Sequence, residues 1–135
     1  MRSIIFVVVL LLATYNHAQE LSGPELLDKA IAYHDPNTTW NTFKGSFEVR
    51  METPNSSDRV STIQMNLPQS TFELQVTKDG DAYTYKLDGA DCEISLNGST
   101  AISEEDLEKF RLSCDRGTMY RNYYTYLYGL PMKLK

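Results

Sequence analysis

Histidine and cysteine are scarce in this sequence. The chain of 135 residues contains two histidines and two cysteines, too few for a metal cluster built from those ligands alone. Positive charge is also in deficit, since 13 Lys and Arg face 18 Asp and Glu and the net charge is −5. Nucleic-acid-binding proteins normally carry a basic stripe, so this balance argues against that class.

No internal repeat, interdomain linker or low-complexity tract interrupts the sequence. Its length is that of one ordinary domain, and 41% of its residues are apolar. This composition is typical of a globular chain and not of a disordered one. We therefore expect a single folded domain.

The first residues have the anatomy of a cleavable signal peptide. Arg2 supplies a positive charge, ten apolar residues follow from Ile4 to Ala13, and Ala18 precedes Gln19. The alternative is a membrane anchor, but ten residues of helix span about 15 Å, roughly half of a hydrocarbon core. We predict a signal peptide over residues 1–18 and a mature domain over 19–135 with no further transmembrane segment. The expected location is the periplasm or cell envelope, with the extracellular space as the alternative.

Export changes the interpretation of the two cysteines, Cys92 and Cys114. In an oxidising compartment an even pair usually bonds, so we predict a disulfide between them. Two buried free thiols are the alternative. A metal pair fits less well, because the spacing matches no zinc pattern.

The mature chain opens with a predicted helix. Ser22 and Glu25 have the spacing of a capping box. Five residues at helical spacing form one face of this helix, and they are Leu26, Leu27, Ala30, Ile31 and His34. The pair Asp35-Pro36 ends the helix, because the residue before a proline is driven out of the helical region.

The apolar period then changes to two, which predicts five short strands. Asp79-Gly80, Asp88-Gly89 and Asn97-Gly98 are the turn signals between or after the later strands. The apolar rows lie in 43–51, 63–67, 72–76, 83–87 and 92–96. Tight turns make sequential antiparallel pairing the economical arrangement, and a sheet with one apolar face must be covered on that side.

Helical patterns return after the strands. Ser103 is the predicted cap of a second helix with acidic residues in its first turn. A third helix is predicted to begin around Thr118 and to end at Gly129 and Pro131. Residues 132–135 alternate like the opening of another strand. The fold class is therefore predicted as α+β, with an N-terminal helix, an antiparallel meander of about five strands and covering helices.

Three groups of side chains invite a chemical interpretation. His34-Asp35 resembles half of an acid–base site, but no nucleophile motif accompanies it, and a histidine also suits a helix C-terminus. The acidic cluster at 104–108 is typical of a solvated helix start and lacks the alternating ligands of a calcium loop. Tyr120, Tyr123, Tyr124 and Tyr128 form a helical stripe, which either covers the sheet as core or lines a cavity.

Two stretches, 25–45 and 120–131, together with Cys92 and Cys114, resemble an uncharacterised family of exported bacterial proteins. That family is distantly similar to the LolA-like lipoprotein carriers. The resemblance implies a half-open β-barrel that wraps helices and holds acyl chains on its concave face. Members of the family continue past the position of Lys135 with further strands, which implies that this chain is incomplete at its C-terminus and forms a partial half-barrel.

Our first hypothesis is an exported, non-enzymatic module that binds a lipid or other apolar ligand on the concave face of the sheet, without cofactor or metal. The second is an envelope or extracellular interaction or structural protein whose apolar face is plain core, with a partner that the sequence does not identify. A hydrolase that uses His34 is the third. The candidate ligand-binding residues are Phe47, Val49, Met51, Ile63, Met65, Phe72, Leu74, Tyr83, Tyr85 and Tyr124.

Overall fold

A computed structural model describes residues 21–135. The predicted signal peptide, residues 1–18, lies outside this range. The described part contains three α-helices, which are α1 (Gly23–His34), α2 (Glu104–Phe110) and α3 (Cys114–Tyr128). Its five strands are β1 (Lys44–Met51), β2 (Arg59–Asn66), β3 (Thr71–Lys78), β4 (Asp81–Asp88) and β5 (Asp91–Leu96).

The strands form one open, curved, antiparallel sheet in the order β1-β2-β3-β4-β5. Each strand pairs with its neighbour in sequence, as the tight turns predict. Asp79 and Gly80 between β3 and β4 both have positive φ, 56° and 85°, which is the backbone of a type I′ hairpin turn. The α+β class and the five-strand meander are therefore confirmed.

The helix starts follow the predicted caps. The Ser22 backbone N–H donates to Glu25 Oε2 at 2.9 Å, and the Glu25 N–H donates to Ser22 Oγ, which completes the capping box. Ser103 Oγ accepts from the Asp106 N–H at 3.1 Å. These side chains satisfy backbone donors that have no partner inside the helix.

Two predicted boundaries near the C-terminus are wrong. The third helix begins at Cys114, four residues before Thr118, because Ser113 Oγ accepts from the Arg116 N–H and caps it there. The strand predicted at 132–135 is a 3₁₀ helix at Met132–Leu134, in which the Leu134 N–H donates to the Pro131 carbonyl. An alternation of four residues is too short to distinguish the two conformations.

The first helix contributes little to the core. No residue of α1 is fully buried, and Leu26 is 59% exposed. The reason is that α3, not α1, packs across β3, β4 and β5 on the apolar side of the sheet. An ion pair between Asp28 and Lys135, 2.8 Å, links α1 to the end of the chain.

The core lies between the sheet and α3. Ile63, Leu74, Val76 and Tyr85 have no exposed surface. α3 approaches closely at Gly117, where a Cβ would come within 2.9 Å of the Tyr85 ring.

Two links hold α3 against the far end of the sheet. The predicted disulfide joins Cys92 of β5 to Cys114 of α3, with a Cα–Cα distance of 5.9 Å. Arg121 Nη1 donates to the Gly89 carbonyl at 2.8 Å. Within residues 21–135, the helices are too short or too polar to cross a membrane.

Candidate functional site

An apolar cleft of about 350 Å³ opens between the β1–β2 hairpin and α3. Tyrosine is its most frequent lining residue, so we call it the tyrosine cleft. Its lining consists of Phe47, Val49, Met51, Arg59, Ser61, Tyr120, Tyr123, Tyr124, Leu127 and Tyr128. It is the described cavity in which the predicted ligand-binding residues and the predicted tyrosine stripe meet.

The sheet wall of the tyrosine cleft is set by strand register. Val49 of β1 lies opposite Ser61 of β2, and Met51 lies opposite Arg59. Directly opposed residues of an antiparallel pair share a face, so two apolar side chains of the edge strand flank one serine and one arginine. Phe47 continues the same row of side chains, two residues before Val49 on β1.

The helix wall is a chain of contacting aromatic rings. Tyr128 stacks on Phe47 with ring centroids 4.9 Å apart and planes 7° apart. Tyr124 meets Phe47 edge to face at 6.1 Å and lies 6.3 Å from Tyr120. These separations lie in the range of favourable aromatic pairs, so the rings hold each other in place and give the cleft a preformed wall.

The walls differ in how much surface they leave free. Tyr124 is buried, whereas Met51 is 50% and Leu127 is 53% exposed. The cleft therefore has a rigid floor of packed rings and an open apolar rim. Exposed apolar side chains gathered in one place are typical of ligand or partner sites, whereas single ones are ordinary.

Among the residues that the structure describes, Arg59 is the only charged side chain in the lining of the tyrosine cleft. Its Cζ lies 5.6 Å from the centroid of the Tyr120 ring, a cation–π contact. Its Nε and Nη2 are buried and have no hydrogen-bond partner within residues 21–135. Burial alone would lower the pKa of Arg59, but Tyr83, Tyr120 and Tyr124 outweigh it and raise that pKa, so the cleft holds a permanent positive charge.

Burial also governs the tyrosine hydroxyls. It raises the pKa of Tyr124, against the opposing effects of Arg59 and of a hydrogen bond with Ser61. Burial, with smaller contributions from Tyr120 and Tyr83, raises the pKa of Tyr85 to about 12. These hydroxyls therefore keep their protons at neutral pH and act as hydrogen-bonding groups, not as bases.

The structure divides the ten predicted ligand-binding residues. Phe47, Val49, Met51 and Tyr124 line the tyrosine cleft. Tyr83 is half-buried beside the core, with its ring 6.0 Å from that of Tyr85. The remaining five are at most 3% exposed and contact other core side chains, and they are Ile63, Met65, Phe72, Leu74 and Tyr85.

Within residues 21–135, the hydrogen-bond partners of the Asp35 carboxylate are Thr39 and Trp40, not His34. Asp35 accepts from the backbone N–H of Thr39 at 2.7 Å and of Trp40 at 3.0 Å. Chiefly because of the hydrogen bond from Trp40, the pKa of Asp35 is lowered. The carboxylate thus fixes the turn that seats Trp40 against Gly129, while His34 is exposed and its ring contacts Tyr33.

The opposite face of the sheet carries a larger and more open trough of about 950 Å³. Lys44, Glu73, Lys86 and Glu93 alternate in charge along it. Charged groups of both signs favour water over an acyl chain, so the trough is a poorer match to an apolar ligand than the tyrosine cleft. Within the described residues, no group of three or more His, Cys, Asp or Glu side chains could hold a metal ion.

Sequence reasoning missed Arg59 and Ser61. Both precede Ile63 and Met65 in steps of two, so they occupy the apolar face of β2. A charged residue at an inward position of a strand was the available signal. The predicted apolar row begins only at Ile63, whereas the strand itself begins at Arg59, so both residues fell outside the prediction.

Comparison with known proteins gives a family but no function. A family model described as a family of unknown function, DUF6503, matches residues 2–135. No curated protein matches the chain, and no solved structure matches it.

Proposed function

Since this chain belongs to a family of unknown function, DUF6503, we propose its function from the geometry of the tyrosine cleft: an exported, non-enzymatic module that binds a lipid or another apolar ligand. The observation that carries the proposal is the open apolar rim over a floor of packed rings. Met51 and Leu127 keep about half of their surface exposed, which supports a site that another molecule can cover.

The size of the cleft limits the ligand. Small-molecule sites in proteins occupy about 300–1,000 Å³, and the tyrosine cleft of about 350 Å³ lies at the lower end. This volume favours one acyl chain of moderate length over a lipid with two long chains. The sequence also resembles, at a distance, the LolA-like carriers, which hold acyl chains. We include this resemblance in the proposal as support for an acyl ligand.

Ligand binding should weaken when apolar side chains of the cleft rim are truncated. It should be retained when other exposed apolar side chains are truncated. We predict that Met51→Ala and Leu127→Ala each weaken the binding of a fluorescent fatty acid by about tenfold, since each removes roughly one to two kcal/mol of apolar contact. Both residues are exposed in the free protein, so neither variant should lose much stability. Fluorescence titration with parallel thermal melts measures both effects.

Met119→Ala is the matched control for that experiment. Met119 also lies on α3 and is 51% exposed, but it is not part of the cleft lining. Its removal should leave the affinity within about twofold of the unaltered protein. Unlabelled fatty acid must displace the probe at one site per chain, and the absence of saturable, displaceable binding by the unaltered chain would reject the proposal.

An interaction module is the second candidate function. The exposed side chains of Val49, Met51, Tyr123 and Leu127 form one apolar patch beside the edge strand β1. Edge strands with apolar neighbours are sites of pairing with other chains. Concentration-dependent association, measured by light scattering and abolished by Met51→Ala, would favour this candidate if the titration shows no ligand binding.

A further inference from the structure

We infer that the tyrosine cleft selects a single-chain amphiphile with a carboxylate head, and that Arg59 binds this head through the Nε and Nη2 edge of its guanidinium. The inference rests on the proposed ligand-binding function and adds the chemical class of the ligand. The observation behind it is the position of the Arg59 guanidinium, whose Nε and Nη2 are unpaired donors, at the end of an apolar cleft.

The two unpaired nitrogens are the right pair for a carboxylate. In a guanidinium, Nε–H and one N–H of Nη2 point the same way along one edge. Their spacing matches the two oxygens of a carboxylate, and this bidentate pairing is among the strongest hydrogen-bonding geometries in proteins. Buried donors without acceptors are rare in native structures and call for an explanation, and an acid ligand supplies the missing acceptors.

One nearby cation has carboxylate partners, whereas Arg59 has none of opposite charge within residues 21–135. Arg50, on the neighbouring strand, is half-exposed and pairs with Glu48 at 4.0 Å and Asp58 at 3.1 Å. No ion pair within residues 21–135 includes Arg59; the groups that act on it are the tyrosines Tyr83, Tyr120 and Tyr124, of which Tyr83 also makes a side-chain hydrogen bond with it. A positive charge held among aromatic rings, with no carboxylate of the described chain beside it, favours an anion from outside.

The head and the tail of such a ligand fit the same cleft. Arg59 faces Met51 at the end of the β1–β2 hairpin, and the apolar row runs from there through Val49 to Phe47. Four residues of strand cover about 13 Å, which is room for the tail of a medium-chain acid. Tyr120 lies over the guanidinium, so we expect its ring to move aside when a carboxylate binds.

The test compares ligands that differ only in the head group. Decanoic acid at pH 8 and 1-decanol, both below their aggregation limits, are titrated against the full chain by competition with a fluorescent fatty acid. We expect the unaltered protein to prefer the acid by on the order of tenfold to a hundredfold, the range for a charge-assisted bidentate contact. In Arg59→Gln this preference should disappear, because the acid loses its charge-assisted contact.

Arg50→Gln is the matched control, since it removes one positive charge from the adjacent strand outside the cleft lining. It should keep the preference for the acid. A second measurement needs no variant: the NMR signal of the Arg59 Nε–H should shift on addition of decanoic acid and not on addition of decanol. This signal decides the question if Arg59→Gln does not fold.

The outcomes separate the inference from the proposed function. Equal affinity for acid and alcohol, or a preference that survives in Arg59→Gln, overturns the carboxylate assignment and leaves apolar ligand binding intact. Failure of both ligands to bind overturns the proposed function and the inference together.

Discussion

Tyr85 shows how one residue can make the stability of this domain depend on alkaline pH. Its side chain has no exposed surface, and burial raises the pKa of its hydroxyl to about 12. An unfolded chain would release the same proton near pH 10. The folded state therefore holds the proton more tightly, so its stability is complete below pH 10 and falls as the pH rises towards 12.

We predict that the unfolding free energy falls by about 1 kcal/mol per pH unit between pH 10 and 12, up to a total of about 2–3 kcal/mol. Tyr85→Phe should remove most of this slope, at the cost of the hydrogen bond with the Ser113 backbone. Urea unfolding at pH 8, 10 and 11.5 measures it. Tyr126→Phe, at an exposed position of α3, is the control, and an unchanged slope in Tyr85→Phe would contradict the prediction.

Arg59 illustrates a different kind of residue effect. It occupies an inward position of β2, where apolar side chains are the rule, and its guanidinium shares the cleft with four tyrosine rings of α3. Placing a charge there opposes folding unless other groups compensate. A residue that opposes local stability at a cleft is more informative about function than the apolar residues around it.

At the scale of the element, α3 packs on the sheet and forms the second wall of the tyrosine cleft. One side of the helix packs on the core through Gly117 and Tyr124, and an adjacent side lines the tyrosine cleft through Tyr123 and Leu127. The position of the helix thus sets both the packing of the core and the width of the cleft. Both depend on how closely α3 approaches β4.

Gly117→Ala should raise α3 from the sheet. The added Cβ would lie 2.9 Å from a carbon of the Tyr85 ring, which is fully enclosed and has no space into which to move. Overpacking of this kind costs about 1–3 kcal/mol and exceeds the gain of about 1 kcal/mol from the better helix former. We predict net destabilisation in urea unfolding, together with altered ligand affinity at the cleft.

Asn122→Ala is the control for that variant, because Asn122 is an exposed residue of the same helix. It should stabilise the protein by a few tenths of a kcal/mol through helix propensity alone. If Gly117→Ala also stabilises the protein, the close approach of α3 to Tyr85 is not the constraint that we infer.

At the scale of the whole molecule, the chain is organised around one sheet with a polar and an apolar side. A disulfide and the Arg121–Gly89 hydrogen bond tie α3 to the β4–β5 end of the sheet, while the β1–β2 end supplies the wall of the cleft. The helix is therefore fixed at the end away from the ligand site.

The processing of the whole chain is open to a direct test. When the full sequence is expressed in a bacterium, we predict an exported product that begins at or near Gln19, since Ala18 ends the predicted signal peptide. It should carry the Cys92–Cys114 disulfide seen in the structure and no free thiol. Intact-mass measurement with and without alkylation checks both points, and a retained Met1 or two reactive thiols would refute the prediction.

The sequence by itself determined the elements that depend on local chemistry. Strand alternation, the Asp79-Gly80 turn and the caps at Ser22 and Ser103 act over a few neighbouring residues, and the structure has them as predicted. The pairing order followed as well, because short turns leave an antiparallel neighbour as the simplest partner. The start of α3 was not predicted, because Gly117 near that start is an unfavourable residue for a helix. The glycine fits there because of its contact with Tyr85, which the sequence does not show.

Only the tertiary structure decided which apolar residues form core and which line the cleft. Leu74 and Val49 follow the same alternation in sequence, yet Leu74 is enclosed beneath α3 while Val49 on the edge strand keeps 37% of its surface exposed. Likewise, nothing local distinguishes Arg59 from an ordinary turn arginine until α3 brings Tyr120 over it. The physical reason is that the burial of a side chain depends on elements distant in sequence. Hydrophobic periodicity indicates which side chains share a face of a strand, but it does not indicate which element covers that face.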